Sequence, residues 1–393
     1  MSLRAEDTQI KQMSIELRWI KEVIAGVVWI FLIGWPYFTP GHSQSNWSKL
    51  DRQVKAIRYA GQSLTELTNQ ITQGAKSEKD KARALFIWTA THLYYDQLND
   101  GPEANWENRQ AIAIISRGKG VCWDYATVYQ ALCQRAGIPC LRITGYGPVR
   151  WPETQLPEQP NHAWNVFRID STWYLADATW QSGAPQGNDA FQIQTGKDYF
   201  GTPPELFVRN HLPEHPMFQL LDCPVSPEEF AMTVRINPQA LRTPCPAPYV
   251  YIDTLNQYLD MEEGDRGLWY QQGVYRFRPT TANQRYLDQA ITDHGIAYQG
   301  LGDEWYSQGS YARADSCYTQ AIAQFDQIKD ASSLFDWQLK AIGLTWFNRG
   351  MTCLKLSGGT CPTYFQKARE VLEPYQEDVL LTPVIKYLKQ QKH

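Results

Sequence analysis

Three side chains that together could activate a cysteine nucleophile lie at separate points of the sequence. The first, Cys122, follows a glycine-rich turn at residues 118–121 and begins a stretch with apolar residues at helical spacing. Gly137 and Pro139 predict the end of that helix. Unpaired backbone N–H groups and the positive end of the helix dipole favour a thiolate at this position. This setting is typical of a nucleophile, with a packed, inert cysteine as the alternative.

The other two side chains lie in a predicted β-hairpin. Two runs rich in aromatic and branched residues, 161–169 and 173–180, flank a turn signal at Asp170. In an antiparallel hairpin centred just before Asp170, His162 and Asp177 are opposed across the strands, about 5 Å apart at Cβ. Each residue alone has a structural interpretation, the histidine as a buried polar group and the aspartate as a turn residue.

The combination of the three residues is more informative than any one of them. A thiol at a helix N-terminus, an imidazole and a carboxylate that orients the imidazole are the parts of an activated cysteine nucleophile. We therefore take Cys122, His162 and Asp177 as the candidate catalytic residues.

Four short motifs resemble the core of the transglutaminase-like, papain-like superfamily. They are Gly-Val-Cys-Trp-Asp-Tyr-Ala at 120–126, Ala-Gly-Ile-Pro at 136–139, Asn-His-Ala-Trp-Asn at 161–165 and Trp-Tyr-Leu-Ala-Asp-Ala-Thr-Trp at 173–180. The segment 198–221 is similar to the tail of kyphoscoliosis-peptidase-like members. The resemblance covers roughly residues 55–230.

This resemblance implies an α+β fold in which the helix that carries Cys122 packs on an antiparallel sheet. It also implies that Cys122 is the nucleophile, His162 the general base and Asp177 the residue that orients the histidine. Some relatives have lost one of the three and act as scaffolds, whereas this sequence retains all of them.

Two further elements are expected around the cysteine helix. Apolar spacing predicts helix from Trp47 to Gln73, and a second helix begins at Ser77. In transglutaminase-like enzymes a residue upstream of the cysteine completes the oxyanion hole, and Trp88, Trp106 and Gln110 are the candidates. Four prolines between residues 148 and 160 predict a stiff loop before His162, either a binding loop or a variable connection.

Length and composition favour a globular protein with several domains. The 393 residues allow two to three domains, and 43% hydrophobic and 13% aromatic residues are enough for a packed core. The net charge of −4, without a long basic run, argues against a nucleic-acid partner.

His211 and His215 have the spacing of metal ligands on a helix, but Pro213 lies between them, so we predict no metal and no cofactor.

The N-terminal region resembles a targeting segment. A mixed polar stretch, 1–22, precedes an uncharged apolar run at 23–39 that is short for a membrane-spanning helix and suits a signal-peptide core or a signal anchor. We therefore expect an exported or membrane-anchored protein that meets the membrane only through this segment. The alternative is a buried helix of a cytoplasmic domain. The predicted transglutaminase-like domain follows at 47–230, and a connecting segment at 231–265.

The last third, residues 266–393, has the spacing of tetratricopeptide-like helical repeats. Gly302, Tyr318 and Ala321 follow the small and large positions of such a repeat, and Gly350 with Phe365 repeats the pattern more loosely. Stacked repeats form a concave surface that can dock a protein partner, with a helical cap on the catalytic domain as the alternative.

Eight cysteines are compatible with export. A free Cys122 leaves an odd number, so at least one other thiol is expected to remain unpaired. Cys317 could pair with Cys353 across stacked repeats, and Cys223 and Cys245 bracket a proline-rich loop.

Two functions are consistent with these features. In the first, Cys122 attacks a glutamine side chain or a peptide bond, and an amine or water resolves the thioester, giving a transglutaminase or a protease. In the second, the core is a scaffold of the cell envelope and the helical repeats hold a partner.

Overall fold

The computed structural model describes residues 47–96, 110–147, 156–183, 198–236 and 249–390. Residues from Leu50 onward belong to one compact unit. The apolar run at 23–39, Trp106 and Cys245 lie outside the described residues, as does much of the proline-rich loop. Within the described ranges, no helix combines the length and the apolar character needed to cross a membrane.

The N-terminal helices form a lobe against the cysteine helix. They are α1 (Ser48–Lys55), α2 (Leu64–Thr72) and α3 (Glu78–His92). The predicted continuous helix over 47–73 is wrong, because the chain turns at Gly61 with φ of 92° and restarts at the N-cap Ser63. Ser63 and Glu66 form a capping box, in which each side chain accepts a hydrogen bond from the other residue's backbone N–H.

The sheet has five antiparallel strands in the order β6-β5-β4-β3-β7. These are β3 (Cys140–Tyr146), β4 (His162–Ile169), β5 (Thr172–Ala176), β6 (Phe200–Thr202) and β7 (Leu212–Pro213). A second, two-residue parallel pair joins β1 (Tyr94–Tyr95) to β2 (Lys119–Gly120), which directly precedes the cysteine helix. Short helices connect these strands: α4 (Ala111–Arg117), α6 (Ala178–Gln181), α7 (Pro204–Phe207) and α8 (Pro227–Ile236).

The cysteine helix, α5 (Cys122–Arg135), packs on β3 and β4. Its predicted apolar face is buried, and Gly137 ends it with φ of 79°, as expected for a glycine after a helix. Asn165, fully buried on β4, donates its side-chain N–H to the carbonyl of Ala126, one turn after Cys122. This bond fixes the position of α5 along the strand that carries His162.

Close packing explains one glycine of β3. Gly145 is paired with His162 on one side and with Pro213 on the other. A Cβ at this position would overlap the carbonyl oxygen of Leu212 and the indole ring of Trp164. Only glycine therefore allows β7 to approach the strand end next to His162.

The opposite face of the sheet is covered by helices from the following part of the chain. These are α9 (Tyr251–Asp260) and α10 (Glu263–Phe277). Leu255 of α9 is fully buried in one cluster with Trp164, Val166 and Trp173 of the sheet. The stretch predicted as a connecting segment thus contributes to the hydrophobic core.

The next four helices form two hairpins in which the paired helices contact each other in the same way. They are α11 (Thr281–Ser307) with α12 (Tyr311–Phe325), and α13 (Asp336–Ser357) with α14 (Pro362–Leu372), followed by α15 (Thr382–Gln390). In each hairpin two glycines of the first helix, seven residues apart, lie against large side chains of the second. The pairs are Gly295 with Phe325, Gly302 with Tyr318, Gly343 with Leu372 and Gly350 with Phe365. The prediction that the last third is helical is confirmed.

The disulfide connectivity, which the sequence leaves open, is given by the structure for one pair. Cys353 is bonded to Cys361 across the turn between α13 and α14, so Cys317 does not pair with Cys353. Cys317 is a free thiol. Cys353 and Cys361 are eight residues apart in sequence, and the turn of the helical hairpin brings them together. Cys223 is disulfide-bonded, as a pair with Cys245 requires, but the latter lies outside the described residues.

Candidate functional site

The position of Cys122 is set by a contact between the turn before it and the helix after it. The Asp124 carboxylate accepts the backbone N–H of Val121 at 3.0 Å, and Arg117 lies 3.5 Å from the same oxygen. A Cβ on Gly120 would overlap the Asp124 carboxyl group, so glycine is needed there. This arrangement fixes Cys122 as the first residue of α5, with its side chain partly exposed.

The structure brings His162 and Asp177 together, but in a different register from the one predicted. Nε2 of His162 lies 2.7 Å from Oδ2 of Asp177. The hairpin pairs Ile169 with Thr172, so its centre lies one residue later than expected and the residue opposite Asp177 would be Trp164. Asp177 follows the end of β5, and its side chain reaches His162 diagonally. The predicted direct opposition is therefore wrong, whereas the predicted contact is present.

The Asp177 carboxylate accepts hydrogen bonds from two backbone N–H groups and two histidine rings. It is the N-cap of α6, and its Oδ1 accepts the backbone N–H groups of Thr179 at 2.8 Å and Trp180 at 3.0 Å. Its Oδ2 accepts from His162 and also from Nε2 of His211, at 3.0 Å. The carboxylate can therefore turn neither toward solvent nor away from His162.

His211 is the site residue that sequence reasoning missed. We considered it only as a metal ligand paired with His215, and 34 residues separate it from Asp177. It reaches the site because β7 adds to the edge of β3 next to Gly145. Its Nδ1 lies 2.7 Å from the side-chain amide of Asn210. The Asn-His pair in a segment similar to the family's tail was the only signal for it.

Aromatic rings close the site around the two histidines. Trp180 stacks on His162 with ring centroids 5.4 Å apart, and Phe207 stacks on His211 at 3.9 Å. The side chains of His162 and Asp177 are 0% and 1% exposed, so the hydrogen bond between them is shielded from water. Low polarity around the pair strengthens its electrostatic interaction.

These surroundings shift the pKa values of His162, Asp177 and His211. Burial lowers the pKa of His162, but the charge and hydrogen bond of Asp177, and then those of Cys122, outweigh it and raise the pKa to about 10. Burial raises the pKa of Asp177, but His162 and His211 hold it well below its usual value. Burial lowers the pKa of His211 to about 4. At neutral pH the site thus contains an imidazolium, a carboxylate and a neutral imidazole.

The Cys122 thiol, like the Asp177 carboxylate, interacts with the His162 ring. Nε2 of His162 is bonded to Asp177, which leaves Nδ1 for the hydrogen bond with Cys122. A protonated imidazole between a carboxylate and a sulfur atom can stabilise a thiolate and later donate a proton. Among the upstream oxyanion candidates, Trp88 is excluded, because its indole N–H donates to the carbonyl of Ile57. Gln110 is exposed at the start of α4.

Ligand atoms of His162, Asp177 and His211 lie within 4.8 Å of one another, which is compact enough for a metal ion. Their N···O separations, 2.7 and 3.0 Å, are hydrogen-bond lengths. A metal on Oδ2 would have to replace both imidazole protons. The arrangement is accounted for by hydrogen bonds alone.

Comparison with known proteins agrees with this geometry. Residues 65–178 match the model of the transglutaminase-like superfamily. The chain carries a transglutaminase-like domain. That domain contains Cys122, His162 and Asp177, and the expected core with an antiparallel sheet is confirmed.

Relatives of the transglutaminase-like domain occur in larger proteins. Kyphoscoliosis peptidase of Mus musculus is 31% identical over 188 residues, 46% of this chain and 28% of that protein. Cytokinesis protein 3 of Schizosaccharomyces pombe is 28% identical over 185 residues, 45% of this chain and 20% of that protein. A solved structure of a TGase is 18% identical and has a TM-score of 0.25, covering 42% of this chain and 41% of that one. The match spans less than a third of either sequence relative.

Proposed function

We propose that the protein is a cysteine-dependent acyl transferase that acts on protein or peptide amides. The observation that carries the proposal is the buried His162, bonded to Asp177 at 2.7 Å and interacting with the Cys122 thiol at a helix N-terminus. The name of the mouse relative, a peptidase, supports the same chemistry for this chain.

In the first half of the reaction, the Cys122 thiolate attacks the carbonyl carbon of the amide. The oxyanion that forms lies near the start of α5, where the backbone N–H groups of Cys122 and Trp123 precede the first bond of the helix, from Asp124 to Val121, and can stabilise it. The imidazolium of His162 donates its Nδ1 proton to the leaving amine as the C–N bond breaks. The products are a thioester on Cys122 and a free amine or ammonia.

In the second half, His162 is neutral and acts as a base. It removes a proton from an incoming amine or water, which attacks the thioester and releases Cys122 as a thiolate. Asp177 keeps the imidazole oriented and stabilises its charge in both halves. An amine acceptor gives a transglutaminase reaction, and water gives a protease or amidase reaction.

The reaction is tested with a glutamine-containing peptide, in the presence and absence of a primary amine. We expect a reaction that requires Cys122. A transglutaminase releases ammonia and incorporates the amine, an amidase releases ammonia without incorporation, and a protease cleaves the chain without releasing ammonia. The Cys122→Ala variant controls for contaminating enzymes. If neither ammonia nor a cleaved chain appears above the level of this variant, the proposal is wrong.

We further propose that the protein is exported or membrane-anchored. The apolar run at 23–39 and the Cys353–Cys361 disulfide support this location, since disulfides persist in oxidising compartments. Thiol labelling without reduction tests the proposal. Protection of Cys353 and Cys361 in protein taken directly from cells is expected, and full labelling of both would contradict it.

A second candidate function is a binding protein that docks a protein partner on tetratricopeptide-like repeats. It is favoured by the two helical hairpins with matching glycine contacts and by Phe335 and Trp337, which are 56% and 55% exposed at the start of α13. A partner captured equally well by the wild-type protein and by Cys122→Ala, but lost in Trp337→Ala, would support this function.

A further inference from the structure

A short segment links the candidate catalytic carboxylate to the helical part of the molecule. It runs from His211 through β7 to His215, and both histidine rings are buried. His211 contacts Asp177, and His215 contacts α10. The segment has no role in the proposed reaction as described above.

The His211 end is constrained in both position and protonation. The ring lies between Phe207 and Trp180, with centroids 3.9 and 4.3 Å away. The titratable groups that face it are Asp177 and His162. Because burial keeps its pKa low, the ring is neutral, and its bond to the ionised Asp177 requires the tautomer that carries the proton on Nε2. Nδ1 is then an acceptor, so the side-chain amide of Asn210 must turn its NH2 group toward the ring.

The middle of the segment, β7, is connected to His162 through the strand between them, β3. Pro213 pairs with Gly145, the same residue that pairs with His162 on the other side of β3. The backbone N–H of Glu214 donates to the carbonyl of Thr144 at 3.1 Å. A shift of the segment along β3 would therefore move His211 relative to His162.

The His215 end is held by the helical region. Its ring stacks on Trp269 and Tyr270 of α10, with centroids 5.3 and 5.5 Å away. Gly273, one turn further along α10, provides the space for the ring, because a Cβ there would overlap the imidazole. Nδ1 of His215 also accepts the backbone N–H of Met217, at 3.3 Å.

We propose that His211 is a positioning residue for the acyl transfer, and that α10 fixes it in place by holding His215. This inference rests on the proposed function. His211 donates the second side-chain hydrogen bond to Oδ2 of Asp177 and so keeps the carboxylate directed at His162. The helical region is then a structural part of the catalytic centre as well as a candidate docking surface.

The first experiment replaces His211 with three residues of graded reach. Gln places an amide N–H near the position of Nε2, Asn reaches only as far as Nδ1, and Leu donates no hydrogen bond. We expect kcat to fall ~10- to 100-fold in His211→Leu and His211→Asn, as for loss of a charge-assisted hydrogen bond, with KM little changed. His211→Gln restores most of it. Gln338→Leu is the control, because Gln338 is a buried donor to the carboxylate of Asp293, at 2.7 Å, and lies on α13, which carries no residue of the site.

The second experiment acts at a distance. Gly273→Ala displaces His215 without contacting the site, and Gly295→Ala is its match, since it places a Cβ against the ring of Phe325 in a helical hairpin. Both variants lose stability in thermal unfolding. We expect kcat to fall at least several-fold in Gly273→Ala alone, measured well below both unfolding transitions.

The rate of Cys122 alkylation by iodoacetamide separates this inference from the proposed function. The wild-type rate reports the reactivity of the Cys122 sulfur atom beside His162, whether or not the protein turns over an amide. We expect a slower rate in His211→Leu and rescue in His211→Gln. Absence of amide turnover in the wild type refutes the proposed function alone. Equal alkylation rates in all three His211 variants and the wild type refute the role of His211.

Discussion

Substitution of Asp177 by Asn should leave the fold intact and change the protonation state of His162. Oδ1 of Asp177 accepts two backbone N–H groups at the start of α6. In Asp177→Asn the amide oxygen must take this position, because the NH2 group cannot accept those bonds. The NH2 group then occupies the position of Oδ2, where Nε2 of His162 and Nε2 of His211 both point.

The consequence is an inverted tautomer in both histidines. The amide NH2 donates to each Nε2, so each ring must carry its single proton on Nδ1. His162 then presents an N–H to Cys122 and has no lone pair there with which to act as a base. The substitution also removes the charge that, with its hydrogen bond, contributes most to raising the pKa of His162 against burial. The imidazolium population of the wild-type site is therefore reduced.

The size of the effect follows mainly from the tautomer. With a pKa of about 10, His162 is almost entirely imidazolium at pH 7, and return to an ordinary value of 6.5 leaves about a quarter of it, so this change alone costs only about fourfold. Tautomer inversion in an aspartate-to-asparagine variant of a related triad costs about 10⁴-fold in kcat. We expect kcat/KM to fall about 10³- to 10⁴-fold, with a stability loss of about 1–3 kcal/mol for the weakened hydrogen bonds.

Initial rates of ammonia release and alkylation by iodoacetamide at pH 6 measure the loss, and urea denaturation measures stability. Asp288→Asn is the matched control. Asp288 is a fully buried carboxylate that accepts backbone N–H groups from Lys329 and Asp330 in the helical region, so its substitution should cost stability and leave kcat unchanged. Retention of more than a tenth of wild-type activity in a folded Asp177→Asn protein would refute the tautomer argument.

Three further predictions concern the elements that position the site. Gly120→Ala forces Asp124 away from the start of α5, and we expect at least ~10-fold slower alkylation of Cys122 together with a lower melting temperature. Asn165→Leu removes the side-chain bond to the Ala126 carbonyl, which keeps its intrahelical bond, and should cost about 1 kcal/mol in urea denaturation. Because the pKa of His162 rises to about 10 on folding, its stabilising contribution is complete below about pH 6.5 and is lost as pH rises toward 10; urea denaturation at pH 6.5 and 9.5 should show this loss, and His162→Gln should abolish it.

The local elements of the core were predictable because their signals are local. The helix after Cys122 and the strand Cys140–Tyr146 follow from apolar spacing and from a glycine that adopts a positive φ at the helix end. The break at residues 56–63 was not, because the apolar spacing continues across it. Gly61 and the Ser63 capping box decide the outcome there, and each is individually compatible with a continuous helix.

The hairpin register was missed by one residue at its centre. Asp170 adopts a positive φ of 54°, which lets Asp170 and Ser171 alone form the turn and pairs Ile169 with Thr172. A sequence pattern does not distinguish this turn from one centred a residue earlier. The contact between His162 and Asp177 survives because the Asp177 side chain, beyond the strand end, is free of the ladder and can reach diagonally.

His211 could not be found from spacing, because its position depends on tertiary structure. Its contact with Asp177 requires β7 to add to the sheet edge, and that addition requires glycine at position 145 and a place for His215 on α10. The same dependence explains why the helices after residue 250 belong to the argument about chemistry. Two imidazole donors favour the ionised form of the fully buried Asp177, and one of these donors is held from the helical side. The proposed catalytic centre therefore extends to α10, which contacts His215 and through β7 holds His211.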